Sequence, residues 1–193
     1  MKHIKKTLLL AFAVVFLFSG LALAEFQYKI EHPHAGKDVT PSEAHDMLQK
    51  NPEHTFLVDI RTRPEYLLIG HPVGAYNIPF QFWTDKLGEK GYAMADNPNF
   101  AKDILARFNP KTDTLLIMCR SGSRSCKACN EALKAGWPEN KTFNVLGGFE
   151  GDKIKYKSSC YYEQRECGGW RNEGLPWTYS IDKKLVYQPD LAK

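Results

Sequence analysis

The residues best suited to chemistry lie in one stretch, Cys119-Arg120-Ser121-Gly122-Ser123-Arg124-Ser125. It falls between the apolar run Thr114-Leu115-Leu116-Ile117-Met118 and a helical pattern from Ser125 to Ala135 closed by Gly136. A thiol at a helix N-terminus feels the positive end of the helix dipole. Two guanidinium groups and a turn of backbone N–H groups loosened by Gly122 stand beside this one. Such surroundings favour a thiolate, which makes Cys119 the candidate nucleophile. The same N–H groups can hold an oxyanion, with Arg120 or Arg124 supplying charge and Ser121, Gly122, Ser123 and Ser125 completing the cradle. A cysteine after an apolar strand more commonly packs as a small hydrophobe, but here Gly, Ser and Arg follow it instead of further apolar residues.

Such a loop needs a strand to deliver it and a helix to receive it, and the flanking sequence supplies both. Thr40-Pro41-Ser42-Glu43 is a capping box with Pro at the first helical position and predicts a helix to about Lys50. Phe56-Leu57-Val58-Asp59-Ile60 suits a buried strand, and Ala75 to Ile78 predicts another. Asn97-Pro98 opens a second helix whose Phe100, Ile104, Leu105 and Phe108 recur at helical spacing as core, before Asn109-Pro110 stops it. Thr142 to Leu146 adds a further strand. Short apolar strands alternating with helices predict an α/β domain on a mostly parallel open sheet, in which ligands bind at the carboxyl ends of strands. The loop after Met118 is at such an end. No repeat or interdomain linker interrupts the pattern, so one domain over about 38–178 is expected, after an N-terminal arm (25–37) and before a C-terminal tail (179–193).

Composition agrees with one globular domain: 193 residues, 43% hydrophobic and 25% charged. The net charge of +4 fades on inspection, because Lys2, Lys5 and Lys6 precede the first acidic residue, Glu25, and without them 23 basic residues face 22 acidic ones. Nothing in that balance points to nucleic acid. Residues 1–24 combine the basic end, an apolar run from Leu8 to Phe18 and the small-residue close Ala22-Leu23-Ala24, the pattern of a cleaved secretory signal peptide. The apolar run is shorter than a membrane span requires, so no stable membrane anchor is expected. Export is expected, to the periplasm if the source is Gram-negative, where cysteine pairs can persist. His32 and His34 flank Pro33 and could hold a metal, but a solvated arm is the simpler expectation.

The loop and its neighbours resemble the rhodanese-like sulfurtransferase family. Cys119 to Ser125 is similar to the family's active-site loop. Leu57-Val58-Asp59-Ile60-Arg61 with Glu65-Tyr66, Gly70-His71-Pro72-Val73-Gly74-Ala75 and Asn77-Ile78-Pro79 are similar to its upstream signature. Gly147-Gly148-Phe149, Gly169-Trp170 and Gly174-Leu175-Pro176-Trp177 are similar to its C-terminal one. The resemblance spans residues 38 to 178 and implies a rhodanese-like open parallel sheet flanked by helices. It also implies sulfur transfer through a Cys119 persulfide, with a small donor such as thiosulfate or polysulfide, a thiol, cyanide or protein acceptor, and no cofactor. In the resemblance Asp59, Arg61 and Glu65 are structural, serving salt bridges or caps, and His71 is a satisfied turn histidine. A second reading is a non-catalytic or thiol-redox module that binds a partner. Cysteine phosphatases and arsenate reductases share the strand, loop and helix plan, but they need Arg six positions after the Cys, where this chain has Ser125.

Four further cysteines remain. Cys126 and Cys129 form a C-x-x-C inside the helix after the loop, read as a packed or structural pair, with Cys126 also a candidate resolving thiol for Cys119. Cys160 and Cys167 lie in an insert at about 151–168, and a disulfide between them would close an eight-residue loop for about 2.5 kcal/mol. Zinc held by all four is the alternative, though the spacing matches no standard finger. If the insert borders the pocket, Tyr156, Tyr161, Tyr162, Lys153, Lys155 and Lys157 select the acceptor.

Overall fold

The computed structural model describes residues 27–28, 32–89 and 91–188. The expected leader lies outside them, as do parts of the arm and residues 189–193 of the tail. The chain begins its regular structure with β1 (Lys37–Val39), α1 (Pro41–Lys50), β2 (Thr55–Asp59), α2 (Arg63–Leu68), β3 (His71–Pro72) and β4 (Tyr76–Asn77). A hairpin of β5 (Gln81–Gly88) and β6 (Gly91–Asp96) follows, then α3 (Phe100–Arg107), β7 (Thr114–Met118) and α4 (Ser123–Lys134). After a 3-10 turn at Glu139–Lys141 come β8 (Thr142–Val145), β9 (Asp152–Lys153), β10 (Arg165–Cys167) and β11 (Trp177–Thr178).

Five strands make the central sheet in the order β1-β8-β7-β2-β4, parallel at every pairing. Parallel strands buried on both faces need near-continuous apolar sequence, and β7 has it. Its side chains alternate between two cores. Leu115, Ile117 and Cys119 join Phe100, Ile104, Phe108, Ala128 and Cys129 on one face, whereas Leu116 and Met118 join Ala44, Phe149 and Trp170 on the other. The fold is the expected single α/β domain on a parallel sheet.

Local signals explain the helices that flank it. Thr40 caps α1, with its hydroxyl oxygen accepting from the Glu43 N–H and the Glu43 carboxylate accepting from the Thr40 N–H. Thr62-Arg63-Pro64-Glu65 repeats the device at α2, a six-residue helix that the sequence pattern did not mark. Helix α4 begins at Ser123, two residues earlier than the pattern suggested. Gly122 holds φ at 110°, turns the chain sharply and serves as the N-cap. On α3 the apolar stripe is narrower than expected: Phe100 and Ile104 are buried, and Phe108 just past the helix end, but Leu105 points to solvent, one residue round from Ile104. The arm also departs from the solvated expectation. His34 tucks its ring against Asp38 with its side chain buried, and the Ala35 N–H donates to Asn130 of α4 at 2.8 Å.

The pairing of β2 with β7 decides the site. Their register sets Asp59 beside Met118, and the Ile60 N–H continues the ladder to the Met118 carbonyl at 2.8 Å. Both chains therefore leave the sheet side by side at its carboxyl end, and the turn carrying Arg61 to Glu65 meets the turn carrying Cys119 to Ser125.

Candidate active site

Cys119 is the first residue past β7, buried at the foot of a cleft of about 460 Å³. Its Sγ accepts the Gly122 N–H at 3.1 Å and lies 3.4 Å from the Ser125 hydroxyl, which also reaches the Gly122 carbonyl at 2.7 Å. The positive end of the α4 dipole lies at the same turn, since Gly122 is the N-cap of that helix. Hydrogen bonds to an anionic sulfur are of the stronger, charge-assisted kind, so this setting suits a thiolate or a persulfide anion.

The loop keeps its shape because a second loop clamps its backbone. The Phe149 N–H donates to the Cys119 carbonyl and the Glu150 N–H to the Arg120 carbonyl, both at 2.9 Å. Gly148 makes that approach possible: a Cβ there would come within 2.4 Å of the Cys119 carbonyl oxygen, and its φ of 57° is left-handed. The Gly147-Gly148-Phe149 signature is thus the seat of the Cys119 loop.

The two arginines take different places. Arg120 is exposed on the cleft wall, and among the described residues no ion pair involves it. Arg124 also lines the cleft but directs its guanidinium fork into Glu65, with hydrogen bonds of 2.6 and 2.9 Å. Burial alone would raise the Glu65 carboxyl; hydrogen bonding and charge from Arg124, with the Thr62 cap, outweigh it and hold the carboxyl down at about 2. Burial correspondingly opposes the Arg124 cation, and Glu65 more than compensates, lifting it above its ordinary value. Of the loop residues singled out in the sequence, Cys119, Arg120, Ser121, Ser123 and Arg124 line the cleft, while Gly122 and Ser125 contact the sulfur.

Asp59, Arg61 and His71 lie behind the site. Arg61 is buried with Asp59 at 2.6 Å, donates to the Gly70 carbonyl at 2.7 Å and stacks 4.3 Å from the Phe149 ring centroid. His71 stacks on Tyr66 and its Nδ1 meets the Tyr66 carbonyl at 2.9 Å.

The remaining cysteines stand apart from the cleft. Cys126 lines a separate cavity of only about 20 Å³, and Cys129 packs in the core behind Cys119, where burial and then the neighbouring Cys126 push its thiol up. Cys160 is exposed and Cys167 half-buried in β10, and no disulfide forms among the described residues. Nor is any group of three or more His, Cys, Asp or Glu residues among them placed to hold a metal. The insert's tyrosines and lysines do not line the cleft. The facing wall is built instead by Trp83, Gly91, Tyr92 and Met94 of the β5–β6 hairpin, for which the motifs in the sequence predict no role. The available signal was the spacing of Trp83 and Leu87, and of Tyr92 and Met94, about Gly88 and Gly91, a hairpin pattern in which no described residue is fully buried.

A model of the rhodanese-like domain family matches residues 40–155. Thiosulfate sulfurtransferase 16, chloroplastic, of Arabidopsis thaliana is 34% identical over 119 residues, covering 62% of this chain and 88% of that protein. The uncharacterized protein RP600 of Rickettsia prowazekii is 29% identical over 144 residues, covering 74% of this chain and 98% of its own. The crystal structure of Rv0390 from M. tuberculosis superposes with a TM-score of 0.57 at 30% identity, covering 77% of this chain and 100% of that one.

Proposed function

The chain belongs to the rhodanese-like domain family, and on that premise we propose that it is a sulfurtransferase working through a persulfide on Cys119. The observation that carries this reading is the Gly122 N–H aimed at Sγ from 3.1 Å, in a cleft whose exposed cation is Arg120. The Cys119 thiolate attacks the outer sulfur of thiosulfate, the S–S bond of the donor breaks, and sulfite leaves with its electron pair. Arg120 and the loop N–H groups offset the charge of the sulfonate as it arrives and departs. In the second half-reaction an acceptor thiolate attacks the outer sulfur of the protonated persulfide. The bond to Cys119 breaks, a new S–S bond forms on the acceptor, and Cys119 is again a thiolate. Sulfane sulfur moves at each step without an external oxidant or reductant. Polysulfide serves as donor by the same bonds, and cyanide accepts the outer sulfur through a new C–S bond, leaving as thiocyanate while the S–S bond to Cys119 breaks and Cys119 returns to thiolate.

The Arg124–Glu65 pair favours sulfur over phosphoryl chemistry. A phosphoryl group needs a bidentate guanidinium, and Arg124 already gives its two-pronged face to Glu65. The leader pattern at residues 1–24 supports export, with Glu25 as the mature N-terminus, to a compartment where cysteine pairs can persist. Intact-mass measurement after exposure to thiosulfate tests the catalytic reading. The wild type is expected to gain one sulfur atom and Cys119→Ser none. A wild type that gains no sulfur from thiosulfate, tetrathionate or polysulfide overturns it.

A further inference from the structure

The cleft over Cys119 has two unlike halves. On one side stand Arg120, Ser121, Ser123 and the Arg124–Glu65 pair; on the other is one face of the β5–β6 hairpin. In that hairpin Trp83 pairs with Met94 and Leu87 with Tyr92, so all four side chains emerge on the same face despite the irregularity between Trp83 and Leu87. The opposite face holds the hairpin to the body, with the Phe82 ring 5.8 Å from that of Tyr187. The cleft-side residues stay in water: Trp83 is 51% exposed, Tyr92 62% and Leu87 79%. Together they leave on the order of 400 Å² exposed, most of it apolar, the size of the largest patch on a typical soluble monomer, which is often functional.

That surface is wrong for the small molecules of the first half-reaction. Thiosulfate and cyanide gain nothing from indole, phenol and thioether groups, and the cleft has the volume of a site for a drug-sized ligand. Leu87 decides how long the apolar partner is. It lies outside the cleft lining, further out along the hairpin, so the stripe continues beyond what a molecule seated wholly in the cleft would cover. Asp85, Lys86 and Glu89 beside Leu87 are exposed and of mixed sign, so the hairpin presents its apolar side chains along the cleft and not from a basic tip suited to a lipid surface. Trp, Tyr and Met are also the side chains enriched where polypeptides dock. The exposed area falls well below that of a stable complex, which is what a partner that must leave after each turnover requires.

Resting on the sulfur-transfer reading above, we propose that the Trp83, Leu87, Tyr92 and Met94 face recruits the sulfur acceptor, and that this acceptor is a cysteine thiol set in an apolar segment of another polypeptide. The apolar flanks lie along the hairpin and the thiol enters between it and Arg120, within reach of the outer sulfur on Cys119. The group transfer is the second half-reaction already balanced: the acceptor proton goes to solvent, the S–S bond to Cys119 breaks and one forms on the acceptor.

The test uses the mature protein, two acetylated heptapeptides with a central Cys, one flanked by Leu and Phe and the other by Gly and Ser, and cyanide. Cys119 is loaded with sulfur, excess donor is removed, and loss of the sulfur is followed by intact mass. The apolar peptide is expected to discharge the wild type about tenfold faster than the Gly/Ser peptide. Leu87→Ser is expected to remove most of that advantage and leave discharge to cyanide unchanged. A second arm needs no chemistry: apolar peptide carrying Ser for Cys is titrated against unloaded wild type and Leu87→Ser by fluorescence anisotropy, with about tenfold weaker binding expected for the variant. Equal discharge by the two peptides, or Leu87→Ser binding as tightly as the wild type, overturns the inference. So does a wild-type dimer in solution that Leu87→Ser converts to a monomer, because the face would then belong to a second copy. Peptide binding by a protein that never takes up sulfur would sink the transfer reading and leave the docking face standing.

Discussion

Glu65 does three jobs with one carboxylate. It closes the capping box with Thr62, receives both prongs of Arg124 and forms part of the cleft wall. Its pKa makes the pair sensitive to acid. The folded carboxyl sits at about 2 against an ordinary 4.5, a depressed value, so the group stabilises the fold fully above about pH 4.5 and loses that contribution as pH falls toward 2. The stabilisation is on the order of 3 kcal/mol. Glu65→Gln is therefore expected to lower the melting temperature at pH 7, with a gap to the wild type that narrows steadily as both are melted between pH 5 and pH 2. A gap that stays constant with pH would show that the ionised pair is not what Glu65 contributes. The Glu65 side chain was legible in the sequence only as structural, since no spacing rule connects it with Arg124; the β2–β7 register does.

At the scale of elements, the strand and loop that carry Cys119 were readable because a continuous apolar run followed by Gly, Ser and Arg has few other uses, and β7 occupies Thr114–Met118 as its pattern required. The hairpin and the Gly147 to Gly151 loop were not. The hairpin has no buried stripe to make it periodic, and the loop's task lies in contacts to residues distant in sequence. Gly148 and Gly74 separate conformation from contact. Both hold positive φ, at 57° and 79°, but a Cβ at Gly74 meets nothing within 4 Å, whereas one at Gly148 meets the Cys119 carbonyl at 2.4 Å. Gly74→Ala is expected to cost about 1 to 2 kcal/mol, the strain of a left-handed alanine, with sulfur loading of Cys119 unaltered. Gly148→Ala is expected to cost about 3 kcal/mol or more and to slow loading at least tenfold, because the clamp on the loop must open. Denaturation midpoints and loading rates of the two variants check this; similar loading rates would remove the clamp from the account.

Across the whole molecule, the Cys119 loop is set by three chain segments that meet only in the folded state: the end of β2, the end of β7 and the turn after β8. Arg61 is where the first and third join. It is fully buried, bonded to Asp59 on its own turn, donating to Gly70, 3.9 Å from Glu150 and stacked on Phe149, whose own N–H holds the Cys119 carbonyl. A buried charge contributes little to stability as an intact pair, but removing one partner strands the other and costs about 3 to 5 kcal/mol. Arg61→Met is expected to destabilise by that amount, and Asp59→Asn combined with it to recover part of the loss, a coupling that a double-mutant cycle in urea reads directly. The loading rate tells whether Arg61 also acts through the clamp. Phe108→Ala, whose ring packs on Phe56 near the start of β2 and away from the carboxyl end that carries Cys119, is expected to lose about 3 to 5 kcal/mol through its cavity yet load sulfur at the wild-type rate per folded molecule. Arg61→Met of matched stability is expected to load more slowly, since Phe149, whose N–H holds the Cys119 carbonyl, loses the cation stacked on its ring. Equal loading by the two would make Arg61 a brace of the fold alone.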